Sequence, residues 1–154
     1  RSDLEPDPPL RVMTYNIRFD SPDDPFVWCE RRAGVAELPR ARAPDAFGLQ
    51  EVLAHQLSDL AAALPGYAHV GVGRGRLSGT YTPTGGEYNP VFYRTERFGL
   101  TDSGTFGFAD ARRIDYVFTS REPGVTVLSY ETVTAHSGPY YFSDHLPVIV
   151  EVLL

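Results

Sequence analysis

The chain has 154 residues, 42% of them hydrophobic, enough for one globular domain with a sizeable core. A formal charge of -6 and a pI near 5.1 exclude a surface of dense basic stripes built to grip long polyanions without sequence preference. All 14 basic residues are arginine, which removes a lysine nucleophile and a P-loop lysine. The single cysteine, Cys29, can make neither an internal disulfide nor a cysteine-rich zinc site.

Arg1 to Pro9, rich in proline and acid, reads as a disordered leader, and residues 10–154 as a single domain. Leu10 to Ile17 alternates, with Val12 and Thr14 on one face and Met13, Tyr15 and Ile17 on the other, so a buried strand is predicted with Asn16 and Arg18 at its C-terminal mouth. Glu30 to Leu38 reads as a helix bent or stopped at Pro39. Ala46 to Gln50 is a short apolar strand ending at Glu51, and Ala54 to Leu64 is an amphipathic helix with Leu57, Leu60, Ala61 and Leu64 on one stripe and Pro65-Gly66 as its stop. Strand, helix, strand, helix opens an α/β layer structure. Beyond it the texture turns to β: strands are predicted at Ala68 to Val72, Pro90 to Tyr93, Phe98 to Ser103, Ile114 to Thr119, Val125 to Val133 and Pro147 to Leu153. Gly73 to Gly86 is a polar loop that lacks the GxxxxGK[ST] pattern, either a substrate loop or a solvated hairpin. No run approaches the length of a transmembrane helix, and a soluble protein is expected, the cytoplasm placed ahead of secretion.

Two separated blocks carry chemistry. Glu51 stands where a strand ends, where a carboxylate can reach a hard divalent cation or simply favour the dipole of the following helix. Asn16, at the neighbouring mouth, can donate to a phosphate oxygen, hold a water or form a turn. Far downstream, Ser143-Asp144-His145-Leu146-Pro147 sets an acid beside an imidazole able to exchange a proton near neutral pH. Asp115, inside Arg113-Ile114-Asp115-Tyr116-Val117-Phe118, is a costly carboxylate in an apolar strand unless partnered, and it is predicted to pair with and orient His145. His55, His69 and His136 have no zinc-ligand spacing, and the acidic run Asp20 to Asp24 lacks the EF-hand pattern. Trp28 and Tyr140-Tyr141-Phe142 fit either packing or stacking on a substrate ring.

Taken in order, Arg11-Val12-Met13-Thr14-Tyr15-Asn16-Ile17-Arg18, Asp45-Ala46-Phe47-Gly48-Leu49-Gln50-Glu51-Val52, Arg113 to Phe118 and Ser143 to Pro147 resemble the endonuclease/exonuclease/phosphatase superfamily, the DNase I-like fold. Gly86-Glu87-Tyr88-Asn89-Pro90-Val91-Phe92-Tyr93-Arg94 resembles a stretch of a bacterial branch of it. The resemblance implies an α+β fold, a four-layer α/β/β/α sandwich, and a phosphoesterase using Mg2+ or Mn2+. It implies that Glu51 binds the metal with Asp144 at the metal side or on the water, that Asp115 orients a catalytic His145, and that Asn16, Arg18, Asn89 and His145 contact substrate. A small phosphomonoester or phosphodiester is the expected substrate, with nucleic acid as the alternative, and the oligomeric state is left open.

The sequence departs from that pattern in one place. Between the Gly-Glu-Tyr block and the Arg-Ile-Asp-Tyr block, family members carry a Thr-His-x-x-His-like strand end and a Gly-Asp-x-Asn strand end, and neither stands here. An internal deletion near 104–111, with its join at Gly104-Thr105-Phe106, leaves the sandwich incomplete for want of its central strands. Without the Asp/Asn pair that positions the nucleophile, hydrolysis is expected to be severely slowed. A non-catalytic phosphate- or partner-binding remnant of the fold is the alternative function.

Overall fold

The computed structural model describes residues 8–73, 75–77, 80–82, 86–103, 126–134 and 142–153. Its frame is a six-stranded sheet formed by β1 (Leu10–Asn16), β2 (Ala46–Gln50), β3 (Tyr67–Val70), β6 (Val91–Arg94), β7 (Thr126–Thr132) and β8 (Val148–Leu153), in the order β3-β6-β2-β1-β8-β7. Two short strands, β4 (Gly75–Leu77) and β5 (Thr80–Thr82), pair with each other and, among the described residues, with no other strand. The Gly73 to Gly86 segment therefore contains a hairpin.

Helix α1 (Trp28–Arg42) joins β1 to β2, which run parallel from Val12 opposite Ala46 to Asn16 opposite Gln50. That crossover puts both strand mouths, and so Asn16 and Glu51, at the same end of the sheet. β8 lies antiparallel on the other side of β1, with Thr14 opposite Val148. The strand therefore starts at that same end, and the Ser143 to Pro147 segment feeding it arrives beside Asn16 and Glu51.

One face of the sheet is covered by helices. Met13, Tyr15, Ile17, Phe47, Leu49 and Phe92 form a single core with Trp28, Val35 and Ala36 of α1 and with Leu57, Leu60 and Leu64 of α2 (Ala54–Ala63) and its C-terminal end. Phe92 stacks on Phe47 at 5.0 Å, and Tyr67 meets Phe47 edge-on at 5.2 Å. The opposite face carries a smaller cluster of Val148, Val150, Val152 and Leu10. One helical layer on one sheet is half of a four-layer α/β/β/α sandwich, and the described fold is α+β and DNase I-like. β7 is exposed along its whole length, with Tyr130 at 67%. Among the described residues β7 ends the sheet, and an exposed edge of this kind is a liability for strand pairing between chains.

Three expectations change. α1 does not stop at Pro39 but runs to Arg42, because a proline in the last turn forfeits only its bond back to Val35, while Pro39 packs in the core and its carbonyl still accepts from the Ala43 N–H at 2.9 Å. Phe98 to Ser103 is not a strand: a turn at residues 95–97, closed by Arg97 and Phe98 N–H groups on the Arg94 carbonyl, carries the chain out of the sheet. Leu100 is left 51% exposed, and no strand pairs with this stretch among the described residues. The strand expected from Ala68 to Val72 begins and ends earlier, at Tyr67 and Val70, where its pairing with β6 runs out at Val91. The leader through residue 7, the Ile114 to Thr119 strand and the join near 104–111 lie outside the described residues.

Candidate functional site

The mouth of β1 is built around Asn16, which has no exposed surface. Its Oδ1 accepts from the Arg18 backbone N–H at 2.9 Å, an Asx turn that ends the strand. Its Nδ2 donates to Glu51 Oε1 at 2.9 Å. One amide therefore both turns the chain and fixes the carboxylate at the next mouth. The second Glu51 oxygen, Oε2, faces the Phe19 N–H at 3.4 Å.

Both strand exits are left-handed. Arg18 has φ 59° and Glu51 φ 58°, conformations that cost a non-glycine residue about 1–3 kcal/mol each and persist only where neighbours enforce them. The enforcing groups are visible. The Arg18 carbonyl accepts from Arg31 Nη2 at 2.7 Å and from Gln56 Nε2 at 3.1 Å. Gln56, itself fully buried, also accepts the Leu53 N–H at 3.0 Å and so closes the first turn of α2. On the other side of Glu51, Val52 and Tyr88 exchange backbone bonds at 3.2 and 2.6 Å. The Arg18 guanidinium bonds Asp24, whose Oδ2 is buried without a partner.

The downstream loop is tied to this frame by Ser143. Its Oγ donates to the Asn16 carbonyl at 2.6 Å and accepts from the His145 N–H at 3.2 Å. The structure thus brings Asn16, Arg18, Glu51 and the Ser143-Asp144-His145 turn to one end of the sheet, with Asp144 exposed and His145 half-buried. Asn89, exposed, lies on the neighbouring chain between Tyr88, which bridges to Val52, and Pro90, whose carbonyl accepts from the Leu49 N–H at 2.9 Å. Asp115, expected to orient His145, lies outside the described residues, as do Arg74, His136, Tyr140 and Tyr141. His55 pairs with Asp20 at 2.9 Å, and His69 stacks on Phe92. Trp28 is core, its indole N–H donating to Asp59 at 2.8 Å.

Sequence reading missed Arg31, which is 1% exposed and donates to the carbonyls of Ile17, Arg18, Phe19 and Phe142. Burial pulls its guanidinium below the ordinary value, with Asp24 opposing that shift, yet an arginine keeps its proton. The available signal was its spacing: Arg31 occupies a core position in the stripe Trp28, Val35, Pro39. Beneath it, burial drives the Tyr15 phenol far above its usual range, against the opposing charge of Arg31, so Tyr15 is a neutral core group. An apolar cleft of about 240 Å3 lies between α1 and the 142–147 loop; His145 borders it, but Asn16 and Glu51 do not.

Among the described residues no group of three or more His, Cys, Asp or Glu side chains converges as a ready-made metal cage. Glu51 supplies one carboxylate, half-exposed, with one oxygen held by Asn16. That donor set fits a hard cation that keeps most of its waters and completes its shell with substrate oxygens, and it does not fit zinc.

The same fold with related sequence occurs in a crystal structure of an endonuclease/exonuclease/phosphatase from Bacteroides vulgatus, 31% identical over 82% of this chain and 36% of that one, with a TM-score of 0.52. The chain belongs to the endonuclease/exonuclease/phosphatase superfamily. A superfamily protein from Bacteroides thetaiotaomicron is 36% identical over 63% of this chain and 35% of its own, with a TM-score of 0.56. A mannosyl-6-phosphatase of the same organism is 37% identical over 62% and 35%, with a TM-score of 0.55. The chain spans about a third of the length of these superfamily members. No protein-family model and no curated protein matches it. No helix of the described residues is long and apolar enough to cross a membrane.

Proposed function

We propose that this chain carries the metal-and-phosphate rim of a phosphoesterase and hydrolyses a small phosphoester with a divalent cation, Mg2+ or Mn2+. The observation that carries the reading is the Asn16–Glu51 pair, a carboxylate held in a left-handed turn by a buried amide at the mouths of two adjacent parallel strands. Strain enforced at a polar strand mouth is characteristic of sites organised for binding or chemistry rather than for stability. The superfamily relatives support the phosphoester class, since one is a mannosyl-6-phosphatase.

In this reading Glu51 would hold the cation, alone or with Asp144, and the cation when bound would neutralise charge on phosphate oxygens. Asn16 fixes the Glu51 carboxylate through its Nδ2 N–H and, having no exposed surface, serves the substrate by placing that carboxylate rather than by touching a phosphate oxygen. His145, held at the rim by Ser143, would exchange a proton with the attacking water or the departing oxygen, with Asp115, outside the described residues, as the group proposed to orient it. Arg18, whose guanidinium also bonds Asp24, and the exposed Asn89 would be substrate donors. The negative net charge favours a small substrate over long nucleic acid.

The test is release of p-nitrophenol from p-nitrophenyl phosphate and its bis ester by the purified chain with magnesium or manganese, beside Glu51→Ala. Metal-dependent release at least about a hundredfold above the variant is expected, the scale typical of losing a preorganised charged group. Equal release from both proteins would reject hydrolysis at this site. The relatives' greater length and the absent Thr-His and Gly-Asp-x-Asn blocks favour a second reading, a binding site without turnover. Saturable magnesium-dependent binding of a phosphate analogue by the wild type, lost in Glu51→Ala, would distinguish it.

A further inference from the structure

Arg31 is a cation placed where an apolar residue would be expected, and its hydrogen bonds show what it does there. Nη1 donates to the carbonyl of Ile17 and, at 3.2 Å, to that of Phe142. Nη2 donates to Arg18 at 2.7 Å and to Phe19 at 3.0 Å. The guanidinium carbon lies 5.3 Å from the centre of the Trp28 ring, which supplies one wall. Nε is buried without a partner, so the side chain is not arranged to satisfy itself fully. All four acceptors are main-chain oxygens, and they belong to two segments at least 123 residues apart in the sequence: the exit of β1 and the residue just before Ser143.

A hydrophobic side chain of similar volume would fill the same space without burying a charge, and commonly without loss of stability. What it could not do is donate to four carbonyls at once. A lysine could not do so either, since its ammonium is a single point with three donors. We propose that Arg31 is a positioning residue that couples the β1 exit turn to the Ser143-Asp144-His145 loop, so that the Asn16–Glu51 pair and His145 keep one fixed relation. It acts through backbone carbonyls and touches no substrate. Gln56 reinforces only the β1 side, through the Arg18 carbonyl, whereas Arg31 reaches both sides.

The consequence for hydrolysis rests on the function proposed above, but the coupling itself does not, and it is read without turnover. Native-state hydrogen exchange by NMR follows the Arg18 N–H, which donates to Asn16 Oδ1, and the His145 N–H, which donates to Ser143 Oγ. The Leu49 and Leu57 amides, bonded to the Pro90 and Leu53 carbonyls, serve as core references. In the wild type under low urea, the two loop amides are expected to open together, with protection factors within about threefold and the same urea dependence. In Arg31→Lys both should lose at least about tenfold protection relative to Leu49 and Leu57, while Arg32→Met, one position along on the exposed face, leaves them unchanged. Guanidinium ion at millimolar concentration should restore both loops in Arg31→Ala. Independent opening in the wild type would overturn the proposal even if no variant folds. So would a loss in the variants that follows the core references, or one confined to a single loop.

Discussion

Asn16→Asp is nearly isosteric and replaces the amide nitrogen that donates to Glu51 Oε1 at 2.9 Å by a carboxylate oxygen. At an effective dielectric of about 20, two unit charges at that spacing repel by about 6 kcal/mol. The protein has a cheaper alternative, since one carboxyl can take up a proton. At about pH 8 that costs about 1.4 kcal/mol for each unit above an ordinary carboxyl near 4, or about 5 kcal/mol in all. The penalty is therefore capped at about 5 kcal/mol, against a total stability of about 5–15 kcal/mol for a domain. Its sign with pH follows from linkage. The folded pair titrates above the unfolded carboxyls, so the penalty is absent below about pH 4 and grows by about 1.4 kcal/mol per unit as pH rises to the raised folded value. Where protonated, the new acid donates to Glu51 as the amide did. Urea denaturation of wild type and Asn16→Asp between about pH 4 and 8 measures this directly, with Glu51→Gln as a second background in which the pH-dependent part should vanish. Magnesium should recover stability in Asn16→Asp near pH 8, since two carboxylates hold a hard cation better than one. A destabilisation of the same size at every pH, or one unchanged in the Glu51→Gln background, would refute the pairing.

Two further outcomes follow from the packing. A Cβ at Gly34 would fall inside the Phe142 ring, so Gly34→Ala sets a helix-propensity gain of about 1 kcal/mol against overpacking of about 1–3 kcal/mol. A net loss of about 1 kcal/mol by chemical denaturation is expected, with the largest amide shifts in residues 142–145. At the other end of β1, hydrogen bonds from Arg11 and then Ser129, together with the Arg11 charge, hold the Glu151 carboxyl below its ordinary 4.5. That contribution is fully present above the unfolded value and lost as pH falls through the lower folded one, so Arg11→Met should flatten the acid limb of the wild-type stability curve below about pH 4.5. Identical acid limbs in the two proteins would contradict the assignment.

The parts of the fold visible in the sequence were those set by local periodicity. The alternation from Met13 to Ile17 and the stripe of Leu57, Leu60 and Leu64 place β1 and α2 within a residue or two. The Asn16 and Glu51 neighbourhood was also legible, because a parallel strand-helix-strand unit brings consecutive strand mouths together. Arg31 and Gln56 were not read as parts of the site, because their partners are backbone carbonyls and a backbone N–H, which leave no residue-type signature in the chain. The left-handed turns at Arg18 and Glu51 were equally silent, since neither is glycine or asparagine and each conformation is imposed by tertiary contacts. Phe98 to Ser103 failed for the converse reason: strand propensity describes a residue's fit to a pleated surface, and this stretch has no described neighbour to provide one.

The distribution of these contacts bears on the proposed phosphoester site in a chain that spans about a third of the length of its relatives. The Asx turn at Asn16, the left-handed backbone of Glu51 and the donors Arg31 and Gln56 all lie between residues 16 and 56. They form around one parallel strand pair and its two helices, whose core encloses Met13, Phe47, Val35 and Leu60. Among the described residues, Ser143 and the Phe142 carbonyl, brought in by β8, and Tyr88, bonded to Val52, join them from elsewhere. Metal and phosphate binding at the Asn16–Glu51 mouth would therefore draw on a frame that does not need the absent central blocks. In the reading proposed above, positioning of the nucleophile would draw on the Gly-Asp-x-Asn block that this sequence does not carry, and preorganisation of that kind supplies much of the rate. On the function proposed above, binding and turnover would be separable: an affinity for magnesium with phosphate alongside a low kcat is the expected result.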